Sequence, residues 1–264
     1  MQSLLKRIES IPSECVLRHE LSSSSISKVF ICTFDNTKAV IRFDLPTVSK
    51  LAVDRKNELN LLMSITHLDL APKILYADQA AGILIWKYIP GSEPIFNQAH
   101  PNSHSLRVLG NCLYSIHSMP IPQNSIDIFS NSISLYKGLL DSPSDRFLFN
   151  KALNLYTELV NDGLSQVFSH NDLHRSNLLW DDKYYFLDWE YASLNHPCFD
   201  IASLVRSFQL NQDQIDDLSM GYKYNSQIFD PNILNQWIKF IDNLDKIWEI
   251  SVTKIQENLA SSKT

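Results

Sequence analysis

His170-Asn171-Asp172-Leu173-His174-Arg175-Ser176-Asn177 is the stretch on which the reading of this chain turns. An aspartate follows a histidine by two residues, and an asparagine follows that aspartate by five. The stretch is polar and does not read as a strand, so it is taken as a loop. A carboxylate held in a loop beside a substrate hydroxyl orients it and accepts its proton. An amide oxygen further along the same loop can hold a magnesium ion. Next in the chain, Leu178-Leu179-Trp180 and Tyr184-Tyr185-Phe186-Leu187 flank Asp181-Asp182-Lys183, which spells a short hairpin. That hairpin returns the chain to Asp188 in Leu187-Asp188-Trp189-Glu190, a second carboxylate suited to a magnesium ion that bridges phosphate oxygens.

Plainer readings compete for these residues. A lone Asp172 is a loop residue or a helix cap, and only the ordered set of His170, Asp172, Asn177 and Asp188 argues for more. His170, Asp172 and His174 alternate, so an extended strand would point all three one way, as in a transition-metal hydrolase. No further histidine cluster accompanies them. His174 is read as a hydrogen-bonding member of the loop.

Working outward, the chain changes character near Pro90-Gly91. Before it, Val29–Phe34 and Ala39–Phe43 are β-branched and aromatic runs joined by Asp35-Asn36-Thr37-Lys38, a hairpin pattern. Thr47 is placed to cap a helix running to about His67, and Ile74–Tyr76 and Ile83–Tyr88 read as further strands. After it the pattern is helical: Leu106, Leu109, Leu113 and Ile116 share a face, as do Phe147, Leu153, Leu155 and Tyr156 less regularly. His117 closes the first of these helices as a core or cap residue with no assigned chemistry. The expectation is an α+β chain with a strand-rich lobe over 1–90 and a mainly helical lobe over 91–264.

Composition sets outer limits. With 264 residues, 44% hydrophobic and 20% charged, the chain can bury a substantial core. The net charge of −6 comes with no Lys/Arg run or basic aromatic stripe, which argues against nucleic acid. Cys15, Cys32, Cys112 and Cys198 are scattered, suggesting neither a zinc knuckle nor a disulfide framework. No apolar run reaches the roughly 18 residues of a membrane span, and Met1–Arg7 lacks a signal peptide's apolar region. A soluble, cytoplasmic protein acting on a small molecule is expected, with no nucleic-acid or membrane partner.

The loop has the frame of the protein-kinase catalytic loop, H-R-D-x-x-x-x-N. Three blocks in order extend the likeness: SHNDLHRSNLLW (Ser169–Trp180), LDWEYA (Leu187–Ala192) and FDIA (Phe199–Ala202). In these the chain resembles the superfamily of aminoglycoside phosphotransferases, choline and ethanolamine kinases, and thiamine kinases. The resemblance implies a two-lobed protein-kinase-like fold and a phosphotransferase that uses ATP and magnesium. It implies Asp172 as the catalytic base, Asn177 and Asp188 as magnesium ligands, and His170 and Asp200 as supports. Asp200 would brace the loop from the next helix, with a plain N-cap as the alternative.

The same resemblance asks for a cation near the nucleotide phosphates paired to a helix carboxylate. Arg42 lies in an apolar strand, and Glu58 shares a helical azimuth with Leu51 and Leu62, so a buried pair is expected. Surface pairing of Glu58 with Arg55 or Lys56 is the alternative. Ser23, Ser24 and Ser25 fall where a phosphate loop is expected, although no glycine lies there. Trp86 and Tyr88 belong to Ile85–Tyr88, expected to offer backbone groups to adenine. For the acceptor, Glu190, Trp237 and Trp248 are candidate contacts to a cation, with core packing on the helix Asn232–Ile250 as the alternative for both tryptophans. Choline or ethanolamine is the leading acceptor, then thiamine, then an aminoglycoside. A metallohydrolase and a non-catalytic ATP-binding protein are the other classes.

Overall fold

The computed structural model describes residues 2–51, 53–97, 104–121, 128–223 and 227–261. The chain divides into two compact units, Met1–Gly91 and Ser92–Thr264.

The first unit is an antiparallel five-stranded sheet in the order β1-β2-β3-β5-β4, with β1 Cys15–Ser23, β2 Ser27–Phe34, β3 Thr37–Asp44, β4 Ile74–Asp78 and β5 Ile83–Lys87. Asp35 and Asn36 both take positive φ, 44° and 62°, so β2 and β3 meet through a two-residue turn whose hand matches the strand twist. Pairing therefore runs to Phe34 opposite Thr37. Ala39 to Phe43 are all buried, which marks β3 as a central strand covered on both faces. Ile11, Cys32, Phe34, Ile41, Phe43, Ile83 and Ile85 form the core on one of these faces. Helix α1 (Gln2–Glu9) packs Leu4 and Ile8 against it.

The helix expected from Thr47 to about His67 is broken into pieces. Pro46–Lys50 is a 3-10 turn with no side-chain cap, and the α-helix proper, α2, spans Arg55–Ser64. Asp54 starts it by accepting from the N–H groups of Lys56 and Asn57 at 2.9 and 3.0 Å. A well-placed aspartate cap outcompetes Thr47, and the proline confines the earlier segment to one tight turn. Leu51 thus lies outside the helix that carries Glu58.

The second unit holds α3 (Leu106–His117), α4 (Ile128–Leu139), α5 (Pro143–Leu159), α6 (Pro197–Phe208), α7 (Gln212–Gly221) and α8 (Pro231–Ser261). Two small sheets are set among them: β6 (Val167–Ser169) with β9 (Ser193–Asn195), and β7 (Leu178–Trp180) with β8 (Tyr184–Phe186). The buried stripe of α5 is Phe149, Ala152, Tyr156 and Leu159, while Phe147 is 73% exposed. The apolar repeat expected through Phe147 is therefore displaced along the helix.

Helix α8 packs on α5 and α6 around an aromatic cluster. Trp237 has no exposed surface and meets Tyr156, Phe199, Phe240 and, in a parallel stack at 4.9 Å, His196. The expectation that Trp237 touches a ligand is corrected: its ring is enclosed on all sides by core residues. Among the described residues no helix is long and apolar enough to cross a membrane.

Candidate active site

Strand β6 delivers the chain to His170, and antiparallel β9 lies beside it, Ser169 opposite Ser193. The His170 ring is wholly buried and rests on Trp189 at 4.5 Å between centroids. Trp189 is itself buried, stacked nearly parallel on Phe168 and donating its Nε1–H to the Phe186 carbonyl at 2.9 Å. Burial holds the His170 pKa below the ordinary histidine value, against the pull of Asp200 and Asp172. The neutral ring pairs through Nε2 with the Leu187 carbonyl at 2.9 Å, and as a carbonyl only accepts, Nε2 carries the hydrogen.

Hairpin β7–β8 explains how sequence-distant groups meet. Leu178 pairs with Phe186, Asp182 supplies the left-handed turn residue (φ 59°), and Leu187 N–H donates to the Asn177 carbonyl at 2.8 Å. The exit of the hairpin is thereby tied to both ends of the loop, at His170 and at Asn177. Asp188 follows directly, exposed and also left-handed at φ 58°.

Asp172 is one-third exposed. The Asn177 amide donates to both the Asp172 carbonyl at 2.9 Å and its carboxylate at 2.8 Å, which orients the carboxylate. His174 Nε2 lies 3.6 Å from the same carboxylate, and Asp172 holds the His174 pKa above its ordinary value. His174 is half exposed, while the His170 ring is turned inward on Leu187. The transition-metal reading of His170, Asp172 and His174 is corrected by that divergence. Among the described residues no three His, Cys, Asp or Glu side chains gather as a metal cage.

Asp200 is fully buried in the first turn of α6. It is not the N-cap, a place taken by His196, whose ring accepts from Cys198 N–H at 3.2 Å. Asp200 instead accepts from the backbone N–H groups of His170 and Asn171, at 2.8 Å each. Burial alone would raise its pKa, and hydrogen bonding and charge from His117, with His170 and its backbone N–H, outweigh that and hold it low. Asn171, to which the sequence pattern gives no role, is a support in its own right. It takes a left-handed φ of 66°, donates to the Tyr191 carbonyl at 2.9 Å, and accepts from Asn195 at 2.8 Å.

Around Asp172 the surroundings are acidic and aromatic. Glu190 is buried. Burial, with the charges of Glu190 and Asp172, pushes the Tyr191 hydroxyl well above its ordinary pKa. Trp248 donates its Nε1–H to that hydroxyl at 3.1 Å. Burial also raises Asp245, against Arg206 and with help from Asp172. Trp248 thus joins this group where Trp237 does not, and Tyr191 and Asp245 were missed. Asp245 stands three residues before Trp248, on the same helix face, and that spacing was the available signal.

In the first unit, Arg42 and Glu58 form a buried bidentate pair, Nη1 to Oε1 at 2.8 Å and Nη2 to Oε2 at 2.6 Å. Arg55 adds a bond to Glu58 at 2.9 Å and another to Asp44 at 3.1 Å. The anticipated strand arginine and, of the two helix neighbours considered, Arg55 are therefore engaged together, on a buried rather than a surface Glu58. Burial pushes the Glu58 pKa up, and Arg42 and Arg55 together bring it below the usual value.

Ser23 ends β1, and Ser24 and Ser25 open the turn into β2. The Ser24 hydroxyl accepts from the N–H groups of Ile26 and Ser27 at 3.2 and 3.1 Å, so a serine turn shapes this glycine-free loop. Trp86 lies inside β5 opposite Val40 and Ile74. The N–H groups of Lys87 and Tyr88 donate to the carbonyls of Lys73 and Lys38, at 2.8 and 3.2 Å. The expectation of open backbone donors is corrected at these two residues, because β5 is an inner strand with neighbours on both sides.

The family model of the phosphotransferase enzyme family matches residues 19–231. The chain belongs to that family. It is 32% identical over 161 residues to protein LicA of Haemophilus influenzae, a match covering 55% of this chain and 57% of that protein. The chain thus spans little more than half the length of that curated relative. Among solved structures, it is similar to choline kinase LicA from Streptococcus pneumoniae, with a TM-score of 0.75, 18% identity, and 98% and 97% of the two chains covered. It is similar also to LicA in complex with AMP, with a TM-score of 0.76, 19% identity, and 96% and 90% covered. At these identities the structures establish the fold: the kinase-like fold, with an antiparallel-sheet first unit and a mainly helical second.

Proposed function

We propose that this chain transfers the γ-phosphoryl group of ATP to the hydroxyl of choline, with ethanolamine, thiamine and aminoglycosides following in that order. The observation that carries the choice of acceptor is the surround of Asp172: Glu190, Tyr191, Trp248 and Asp245. A quaternary ammonium has no N–H to donate, so it is held by aromatic faces and by the field of nearby carboxylates. The name of the solved relative, a choline kinase, supports the same choice.

In this reading the acceptor oxygen attacks the γ-phosphorus, the bond to the ADP oxygen breaks, and the hydroxyl proton passes to Asp172. Asn177 keeps the carboxylate oriented through its amide, as it does here at 2.8 Å. Asn177 and Asp188 are the residues that would hold magnesium; a carboxamide oxygen and an exposed carboxylate are hard donors that suit it. Bound there, magnesium would neutralise charge on the phosphate oxygens. Arg42, held straight by Glu58, would face the phosphates of the nucleotide, and the Ser23–Ser25 turn would approach them with backbone and hydroxyl donors. Trp86 and Tyr88 would lie near the base.

The test is ADP release measured against choline, ethanolamine, thiamine and kanamycin. Choline is expected to give the highest kcat/KM. Asp172→Asn is expected to lower kcat by about two to four orders of magnitude with ATP binding retained. An Asp172→Asn variant with full activity, or turnover with none of the four acceptors, defeats the reading.

A further inference from the structure

Nothing in the sequence pattern gives His117 any chemistry, yet it touches the group that shapes the catalytic loop. It ends α3, is 6% exposed, and uses both ring nitrogens. Nε2 lies 3.1 Å from Asp200 Oδ2, the oxygen that also accepts from His170 N–H. Nδ1 lies 2.7 Å from the hydroxyl of Tyr222, which is 6% exposed at the C-terminal end of α7.

The roles of the two ring nitrogens follow from the partners. Asp200 is held low, so its carboxylate only accepts, and Nε2 must carry the hydrogen. Burial pushes the Tyr222 hydroxyl up, so it keeps its proton, and with Nε2 turned to Asp200 it is the partner of Nδ1. Tyr222 thereby anchors the ring with Nε2 presented to Asp200.

Two of the chain's six glycines bring these helices together. A Cβ on Gly110 of α3 would lie 2.2 Å from the Leu218 carbonyl oxygen, and one on Gly221 of α7 would lie 1.9 Å from that of Arg107. Both obstacles are backbone, so no side-chain adjustment relieves them. The close α3–α7 crossing sets the end of α7 against the first turns of α3, and from there the Tyr222 side chain reaches past Tyr114 to His117 at the end of α3.

We propose that Tyr222 and His117 form a positioning relay: Tyr222 anchors the His117 ring, His117 completes the Asp200 carboxylate, and Asp200 holds the His170 and Asn171 amides that aim Asp172. Neither residue touches the reacting atoms. The proposal rests on the reading of Asp172 as the base, and its test is arranged so that the two fail separately.

His117→Leu, His117→Gln and Tyr222→Phe are compared with the parent chain by kinetics and by amide hydrogen exchange. Misaiming a base costs up to about 100-fold in rate, so His117→Leu is expected to lower kcat by roughly 30- to 100-fold with little change in either KM. His117→Gln, which keeps a donor toward Asp200, is expected to recover most of that loss. Tyr222→Phe, which only releases the Nδ1 side of the ring, is expected to fall between. In His117→Leu the amides of His170 and Asn171 are expected to exchange at least about tenfold faster, while those of Ile201 and Ala202 in α6 stay protected.

Unchanged exchange at His170 and Asn171 overturns the relay, whatever the activity. Equal kcat loss in the Gln and Leu variants also overturns it, as does a fall in thermal stability with kcat intact. If the parent chain turns over no acceptor, the functional reading fails while the exchange measurement still decides the relay.

Discussion

Asn171 precedes the candidate base in a conformation that most residues avoid. Its φ of 66° is left-handed, a region that asparagine tolerates because its short amide bonds locally. Here that amide donates to Tyr191 and accepts from Asn195, so one side chain ties the loop to two later segments. Asn171→Ala combines an αL penalty of about 1 kcal/mol with the loss of buried hydrogen bonds of similar worth each, and a destabilisation of roughly 2–3 kcal/mol is expected in urea denaturation. Asn171→Gly removes only the hydrogen bonds, and it should recover about 1 kcal/mol of that loss. If Ala and Gly prove equal, the backbone conformation is not what selects asparagine. The contrast with Asp172 is instructive: its spacing to Asn177 was visible in sequence, whereas the value of Asn171 depends on partners 20 and 24 residues away.

At the level of elements, the hairpins were legible because their turns carry local chemistry. Asp35-Asn36 and Asp181-Asp182-Lys183 are residues that accept positive φ, and the flanking runs are β-branched or aromatic. Strand β1 was not legible, since it is largely exposed and its pairing with β2 shifts register twice, which destroys any period-2 pattern. Strands β6 and β9 have three residues each, too few for periodicity to register. Helix α2 shows how a cap settles a boundary that apolar spacing blurs. Asp54→Ala removes both of its cap bonds, and a loss of about 1 kcal/mol is expected by thermal or urea unfolding. Thr47→Ala, at a residue with no capping role, is expected to leave the helix start in place. A larger loss from Thr47→Ala through altered α2 helicity would return the cap to that residue.

For the whole molecule, buried titratable groups set a dependence on pH. Glu58 and Asp200 are held below the ordinary carboxylate range, burial being outweighed by Arg42 and Arg55 in one case and by His117, His170 and backbone N–H in the other. Burial likewise keeps His170 and His196 below the ordinary histidine value. In the unfolded chain these groups return to about 6.5 for histidine and about 4 for carboxylates, so on acidification the unfolded state binds protons first. Stability is therefore full above about pH 7, falls as pH drops through about 6.5, and falls again below about 4.5. His174 and Asp245 are raised and act in the opposite sense, but their side chains are 46% and 51% exposed and solvent screens them. A lower urea midpoint at pH 5.5 than at pH 7.5 is expected; a higher one contradicts this assignment of the buried histidines.

The sequence by itself determined the α+β character, the family, and the order of the groups His170, Asp172, Asn177 and Asp188 along the chain. These are matters of local pattern: alternation, turn chemistry and short spacing survive in one dimension. Tertiary structure decided what surrounds each group. It enclosed Trp237 in the core and set Trp248 against Tyr191, although both lie at apolar positions of one helix. It also joined His117 to Asp200 across 83 residues and to Tyr222 across 105. Burial and partner choice depend on which helix faces meet, and a single chain read in order carries no direct record of that.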